Sequence, residues 1–123
     1  RPRRLLVVDD EPIVGKRLQQ AFGKQGLEVA VFGNAAAALA ELAVRPADVV
    51  VTDLKMDGLD GLELLRRIRA LYPAIRVIII TGYASPETAE AAFREGVFEF
   101  LAKPFRLDEL KQAVARALAE LDR

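Results

Sequence analysis

The sequence predicts a three-layer α/β fold, in which an open parallel sheet lies between two layers of helices. Short apolar runs rich in Val and Ile are typical of buried strands, and they alternate along the chain with segments of helical spacing. A strict strand–helix order favours parallel pairing, because each helix carries the chain back to the start of the next strand.

Five segments are predicted as strands. Continuous apolar runs, which suit strands buried on both faces, span residues 5–8, 49–51 and 77–80. Residues 28–32 and 98–102 are shorter and weaker candidates. The charged residues before the first run (Arg1, Arg3 and Arg4) are expected to form a solvated terminus.

Apolar residues at helical spacing predict a helix after each strand. The predicted segments are 14–22, 34–45, 64–72, 85–95 and 107–121. Asn34 is placed to cap the second helix, and Ser85 followed by Pro is a typical start for the fourth. The fourth helix has a thin apolar stripe of Ala89, Ala92 and Phe93, which predicts weak docking to the sheet.

Composition excludes several kinds of site. The 123 residues fit one domain, and the sequence has neither Cys nor His, which removes disulfides, thiolate metal sites and a Ser-His-Asp triad. Lys plus Arg and Asp plus Glu each total 18, so the basic excess typical of nucleic-acid binding is missing. We expect neither a membrane span nor a signal peptide.

Polar residues end four of the predicted strands. Asp9 and Asp10 follow the first strand, Asp53 the third, Thr81 the fourth and Lys103 the fifth. Because ligands of such folds bind outside the carboxyl ends of the strands, these side chains are expected to share one site.

The chemistry of this set points to phosphoryl transfer. Three converging carboxylates repel one another unless a cation lies among them, and oxygen ligands favour Mg²⁺, with Mn²⁺ as an alternative. Lys103 adds positive charge and Thr81 a hydrogen-bond donor. An ionised Asp carboxylate can accept a phosphoryl group without a general base.

The chain resembles the receiver domain of bacterial two-component response regulators. The resemblance covers residues 4–121 and is carried by the stretches "LLVVDDE", "VVVTDLKMDGLDG", "VIIITGYAS" and "FEFLAKPF". It implies a flavodoxin-like fold with strand order 2-1-3-4-5 and a single cytoplasmic domain over residues 1–123. Any effector or kinase domain would lie outside this chain.

The resemblance also implies a role for each site residue. Asp53 would be the phosphoacceptor, and Asp9 and Asp10 would hold Mg²⁺ together with Asp53 and the backbone carbonyl of Lys55, with Asp10 as a direct ligand. The remaining roles are contact with phosphoryl oxygens for Thr81 and Lys103, an aromatic switch for Phe100, and a cis peptide bond between Lys103 and Pro104.

One position departs from the family pattern. Asp57 follows Met56 where the family commonly has Pro, which adds a negative charge to the loop and frees its backbone. By resemblance, Lys55, Gly82 and Tyr83 also lie at positions that tune the site. A bulky Tyr83 is hypothesised to screen water from the acyl phosphate.

The resemblance implies a signalling switch rather than an enzyme. A sensor histidine kinase would donate the phosphoryl group, and Thr81 and Phe100 would then rearrange the face formed by helix 4, strand 5 and helix 5. That face would control an effector domain or pairing with a second receiver, with no direct contact to nucleic acid or membrane. An interaction module independent of phosphorylation and an aspartyl-phosphate phosphatase are the alternatives.

Each residue also has a plain structural interpretation. Asp9 and Asp10 can cap the turn before Pro12, and Asp53 can cap a turn in which Gly58 and Gly61 are the turn residues. Chance alone would rarely place three acids, a hydroxyl and a lysine at one edge of one sheet, and this joint arrangement favours the functional interpretation.

Overall fold

A five-stranded sheet flanked by five helices forms the protein, as shown by a computed structural model that describes residues 2–56 and 58–122. The strands are β1 (Arg4–Val8), β2 (Glu28–Phe32), β3 (Val49–Asp53), β4 (Arg76–Thr81) and β5 (Glu99–Ala102). The helices are α1 (Pro12–Gly23), α2 (Ala35–Val44), α3 (Gly61–Leu71), α4 (Pro86–Arg94) and α5 (Leu107–Leu121). Every predicted element is present.

The sheet has the predicted topology. Its strands are all parallel and lie in the order β2-β1-β3-β4-β5, which confirms the flavodoxin-like fold. Every residue of β1 and β3 is buried, whereas β2 is only half-buried and β5 is half-buried to exposed. Both are edge strands with a neighbour on one side only, which agrees with their shorter and weaker apolar runs.

Alternate residues of the central strands point into two separate apolar layers. Leu6 and Val50 pack with buried side chains of α2, α3 and α4. Leu5 and Val51 face the opposite way and pack with α1 and α5. The helices thus cover both faces of the sheet and leave the carboxyl ends of its strands at one edge.

The predicted helix caps are present, but α4 packs less tightly than its stripe suggested. Asn34 accepts a hydrogen bond from the Ala37 N–H, and Ser85 exchanges hydrogen bonds with Thr88 in a capping box.

Of the apolar residues of α4, Ala92 is fully buried, whereas the Phe93 side chain is 52% exposed. The predicted stripe was therefore wrong for Phe93, and α4 buries fewer apolar side chains than the stripe indicated.

The solvated terminus was the wrong expectation for Arg4, which is buried as the first residue of β1. Its backbone N–H donates to the Asp48 carboxylate at 2.7 Å, and its guanidinium pairs with Glu41. Arg3 forms ion pairs with Asp48 and Asp122. Arg4 lies opposite Glu28 where β1 pairs with β2, and nearby acids and the carbonyl groups of Arg45 and Pro46 surround its charge. Arg1 lies outside the described residues.

Candidate functional site

Three carboxylates meet at the carboxyl edge of the sheet, as the sequence predicted. Asp9, Asp10 and Asp53 each bring an oxygen within 4.8 Å of the others. Asp9 follows β1 and Asp53 ends β3, and these two strands are paired neighbours. Asp9 and Asp53 are buried and Asp10 is exposed, so the group combines two enclosed acids with one that is open to solvent.

Asp9 and Asp53 use their two oxygens differently. Asp53 Oδ1 accepts a hydrogen bond from the Leu54 N–H at 2.7 Å, and Asp9 Oδ1 accepts one from the Glu11 N–H at 2.9 Å. The other oxygen of each acid faces Lys103. The structural interpretation as turn caps is therefore correct for one oxygen of each acid, and the second oxygen remains for the site.

Lys103 joins the site from the end of edge strand β5, which β4 separates from β3. Its Nζ lies 3.0 Å from Asp9 Oδ2, from Asp53 Oδ2 and from Glu11 Oε1. Its backbone N–H donates to the Thr81 carbonyl at 2.8 Å, which fixes the start of the loop after β5. Burial alone would lower the pKa of Lys103, but the hydrogen bonds to Glu11, Asp53 and Asp9 raise it above its ordinary value. The side chain is therefore a fixed ammonium.

The acids remain short of positive charge despite this ammonium. Burial raises the pKa of Asp9 above its ordinary value, although hydrogen bonds from the Glu11 N–H and from Lys103 oppose the shift, and repulsion by Asp53 adds to it. A group of three carboxylates with one open to solvent is the donor set that a hard divalent cation prefers. The residues present therefore fit Mg²⁺ or Mn²⁺.

Thr81 is buried at the end of β4, and its Oγ1 accepts a hydrogen bond from the Tyr83 N–H at 3.0 Å. The hydroxyl is thus part of the turn that leads to α4. Gly82 and Tyr83 are exposed, and Phe100 is half-buried against the apolar layer that contains Ala92. The peptide bond between Lys103 and Pro104 is cis, as the resemblance implied.

Two of the tuning positions lie in the loop after Asp53. The Lys55 N–H donates to Asp53 Oδ1 at 3.4 Å, which places this residue beside the site. Asp57 lies outside the described residues. The loop then reaches Gly58, whose φ of 81° suits a glycine, and Gly61, which is the first residue of α3. Gly58 is a turn residue as predicted, but Gly61 is not.

Sequence reasoning missed Glu11. Its carboxylate is the third acceptor of the Lys103 ammonium, although the side chain is 59% exposed. The available signal was weak: Glu11 is a third acid directly after Asp9 and Asp10, just before the Pro that begins α1.

Residues 5–115 match the family model of the response regulator receiver domain. The chain belongs to this family. This receiver domain is 38% identical over 113 residues to the DNA-binding transcriptional regulator NtrC of Escherichia coli (strain K12), an alignment that covers 92% of this chain and 24% of NtrC. It spans about a quarter of the length of the curated relatives it matches. It is therefore a signalling domain of two-component response regulators.

Solved structures resemble this receiver domain over nearly its whole length. A CheY-like response regulator receiver domain protein from Methanospirillum hungatei JF-1 has a TM-score of 0.95 and 27% identity, and the match covers 99% of this chain and 98% of that one. The beryllofluoride-activated NtrC4 receiver domain dimer has a TM-score of 0.91 and 30% identity over 96% and 98% of the two chains. Among the described residues, no helix is both long and apolar enough to cross a membrane.

Proposed function

We propose that this receiver domain is a phosphorylation-controlled switch that accepts a phosphoryl group on Asp53 from the phosphohistidine of a sensor histidine kinase. The observation that carries the proposal is the position of the Asp53 carboxylate, held between the Leu54 N–H and the Lys103 ammonium beside two further acids. An oxygen of Asp53 forms the new bond to phosphorus, and the bond from phosphorus to the histidine nitrogen breaks. Attack on phosphorus by a carboxylate needs no general base.

Asp9, Asp10 and Asp53 would hold Mg²⁺ or Mn²⁺, together with the Lys55 backbone carbonyl. When bound, such a cation supplies the positive charge that offsets the three carboxylates and the phosphoryl oxygens. Lys103 contributes a further positive charge beside Asp53 and would donate to a phosphoryl oxygen.

The output step would run through Thr81 and Phe100. The Thr81 hydroxyl accepts from the Tyr83 N–H and keeps its own proton, which it can donate to a phosphoryl oxygen. Its movement would let Phe100 turn inward and shift α4, whose docking is weak because Phe93 is half-exposed. A new local charge thus biases a two-state element.

The face formed by α4, β5 and α5 would then bind an effector domain or a second receiver. NtrC is named a DNA-binding regulator, and the NtrC4 receiver forms a dimer. Because the chain has a net charge of zero, we assign any contact with nucleic acid to an effector domain outside this single cytoplasmic domain.

We expect the wild-type domain to gain one phosphoryl mass when it is incubated with Mg²⁺ and a small acyl-phosphate donor. Removal of the cation by a chelator should leave the mass unchanged, because the three carboxylates then repel the donor. Intact-mass spectrometry measures both. Failure to gain the mass despite demonstrated Mg²⁺ binding would favour the interaction module, and continuous hydrolysis of added phosphoesters would favour the phosphatase.

We expect Tyr83→Ala to raise the rate at which the phosphorylated domain loses its phosphoryl group, because the ring would no longer screen water. The ring is 65% exposed here, so screening requires it to move toward Asp53. The rate is followed by intact mass after removal of the donor, with Tyr83→Phe as the control that keeps the ring. An unchanged rate in Tyr83→Ala would remove Tyr83 from this role.

A further inference from the structure

The Lys103 ammonium is shared among three acids that differ in their exposure to solvent and in whether they belong to the acidic group. All three N–H bonds of the Lys103 ammonium are engaged, since it lies 3.0 Å from an oxygen of Asp9, Glu11 and Asp53. The Asp9 side chain is fully buried and that of Asp53 is 8% exposed, whereas Glu11 is 59% exposed. Asp9 and Asp53 belong to the acidic group that fits a cation, and Glu11 is not part of that group.

We propose that Glu11 is a positioning residue: as a charged acceptor outside the acidic group, it shares the Lys103 ammonium with Asp9 and Asp53, so that the ammonium offsets their charge less fully and a cation binds more readily. This inference rests on the proposed metal site. Glu11 supplies a charged acceptor outside the acidic group, to which Lys103 can remain bonded when Asp9 and Asp53 turn to a cation.

The direction in which Glu11→Gln should change Mg²⁺ affinity follows from the number of charged acceptors that remain for Lys103. In Glu11→Gln, Asp9 and Asp53 become the only charged acceptors of Lys103 among the three. The ammonium then offsets the charge of these acids more fully, and a divalent cation must displace it at a greater cost. An ion pair with one exposed partner contributes modestly, so we expect Mg²⁺ affinity to fall roughly two- to fivefold.

The test is calorimetric titration of the folded domain with MgCl₂ alone, without a phosphoryl donor. Wild type and Glu11→Gln are each measured with Lys103 intact and in a Lys103→Met background. Glu87→Gln is the charge-matched control, because Glu87 is an exposed acid of the first turn of α4 that lies in the groove beside Lys55. Circular dichroism establishes that each variant is folded.

We expect Glu11→Gln to weaken Mg²⁺ binding when Lys103 is present and to have no effect in the Lys103→Met background. Glu87→Gln should bind Mg²⁺ as tightly as the wild type does. Equal weakening in both backgrounds would overturn the inference, because Glu11 would then act through its charge alone. If Lys103→Met does not fold, weakening by Glu87→Gln as large as that by Glu11→Gln overturns it equally. Unchanged binding in Glu11→Gln overturns this inference only, whereas a wild type that does not bind Mg²⁺ contradicts the proposed metal site as well.

Discussion

Asp53→Asn is expected to gain no phosphoryl group under conditions in which the wild-type domain is phosphorylated. The amide has the shape of the carboxylate, and its oxygen can still accept from the Leu54 N–H. Its neutral nitrogen, however, has no negative charge and its lone pair is delocalised into the carbonyl group, so it does not attack phosphorus. This nitrogen also meets the Lys103 ammonium as a second donor. Intact-mass spectrometry with Mg²⁺ and an acyl-phosphate donor measures the loss.

Asp60→Asn is the matched control for this variant. Asp60 lies in the same loop, where its exposed side chain caps α3 by accepting from the Glu63 N–H. Asn caps helices as well as Asp does, so this change should preserve both stability and phosphorylation. Phosphorylation of Asp53→Asn to the extent of the wild type would show that another residue is the acceptor.

Gly61→Ala is expected to lower both the stability of the domain and its phosphorylation. A Cβ at Gly61 would lie 2.0 Å from the Asp53 carbonyl oxygen and 2.9 Å from Leu54 Cα, and both are backbone atoms. The start of α3 also donates from the Gly61 N–H to the Leu54 carbonyl at 2.8 Å. The loop that carries Asp53 must therefore move. Overpacking of this kind costs about 1–3 kcal/mol of unfolding free energy.

Denaturant unfolding and phosphoryl uptake measure the two effects of Gly61→Ala. Gly23→Ala is the control, because Gly23 ends α1 and a Cβ there would meet nothing within 4 Å. This control should be neutral or stabilise by about 0.4–1 kcal/mol. If Gly61→Ala unfolds like the wild type and is phosphorylated at the same rate, the close approach of α3 to the Asp53 loop is not required.

Local sequence signals were sufficient for the order of strands and helices and for the acids and hydroxyl at the strand ends, whereas the strand order and the cis bond before Pro104 were implied by the family resemblance. An acid or hydroxyl that directly ends an apolar run marks a strand end, and parallel pairing brings such ends to one edge. Asp9, Asp53 and Thr81 were located in this way. The caps at Asn34 and Ser85 are equally local, since each side chain accepts from a backbone N–H only three residues ahead.

Contacts between distant residues were not predictable from these signals. Glu11 and Lys103 are 92 positions apart, and nothing in the acid run indicates which carboxylate the ammonium contacts. Helical spacing placed Phe93 on the stripe of α4 but gave no measure of how closely that helix approaches the sheet. Arg4 resembled a solvated terminus because its acceptors come from segments about 40 residues away.

The most direct test of the account is to locate the phosphoryl group on the wild-type domain. After reaction with Mg²⁺ and an acyl-phosphate donor, borohydride reduces an aspartyl phosphate to homoserine, and proteolysis with mass spectrometry identifies the converted residue. We expect conversion at Asp53 and not at Asp9 or Asp10. Conversion at either of these acids, with Asp53 unmodified, would contradict it.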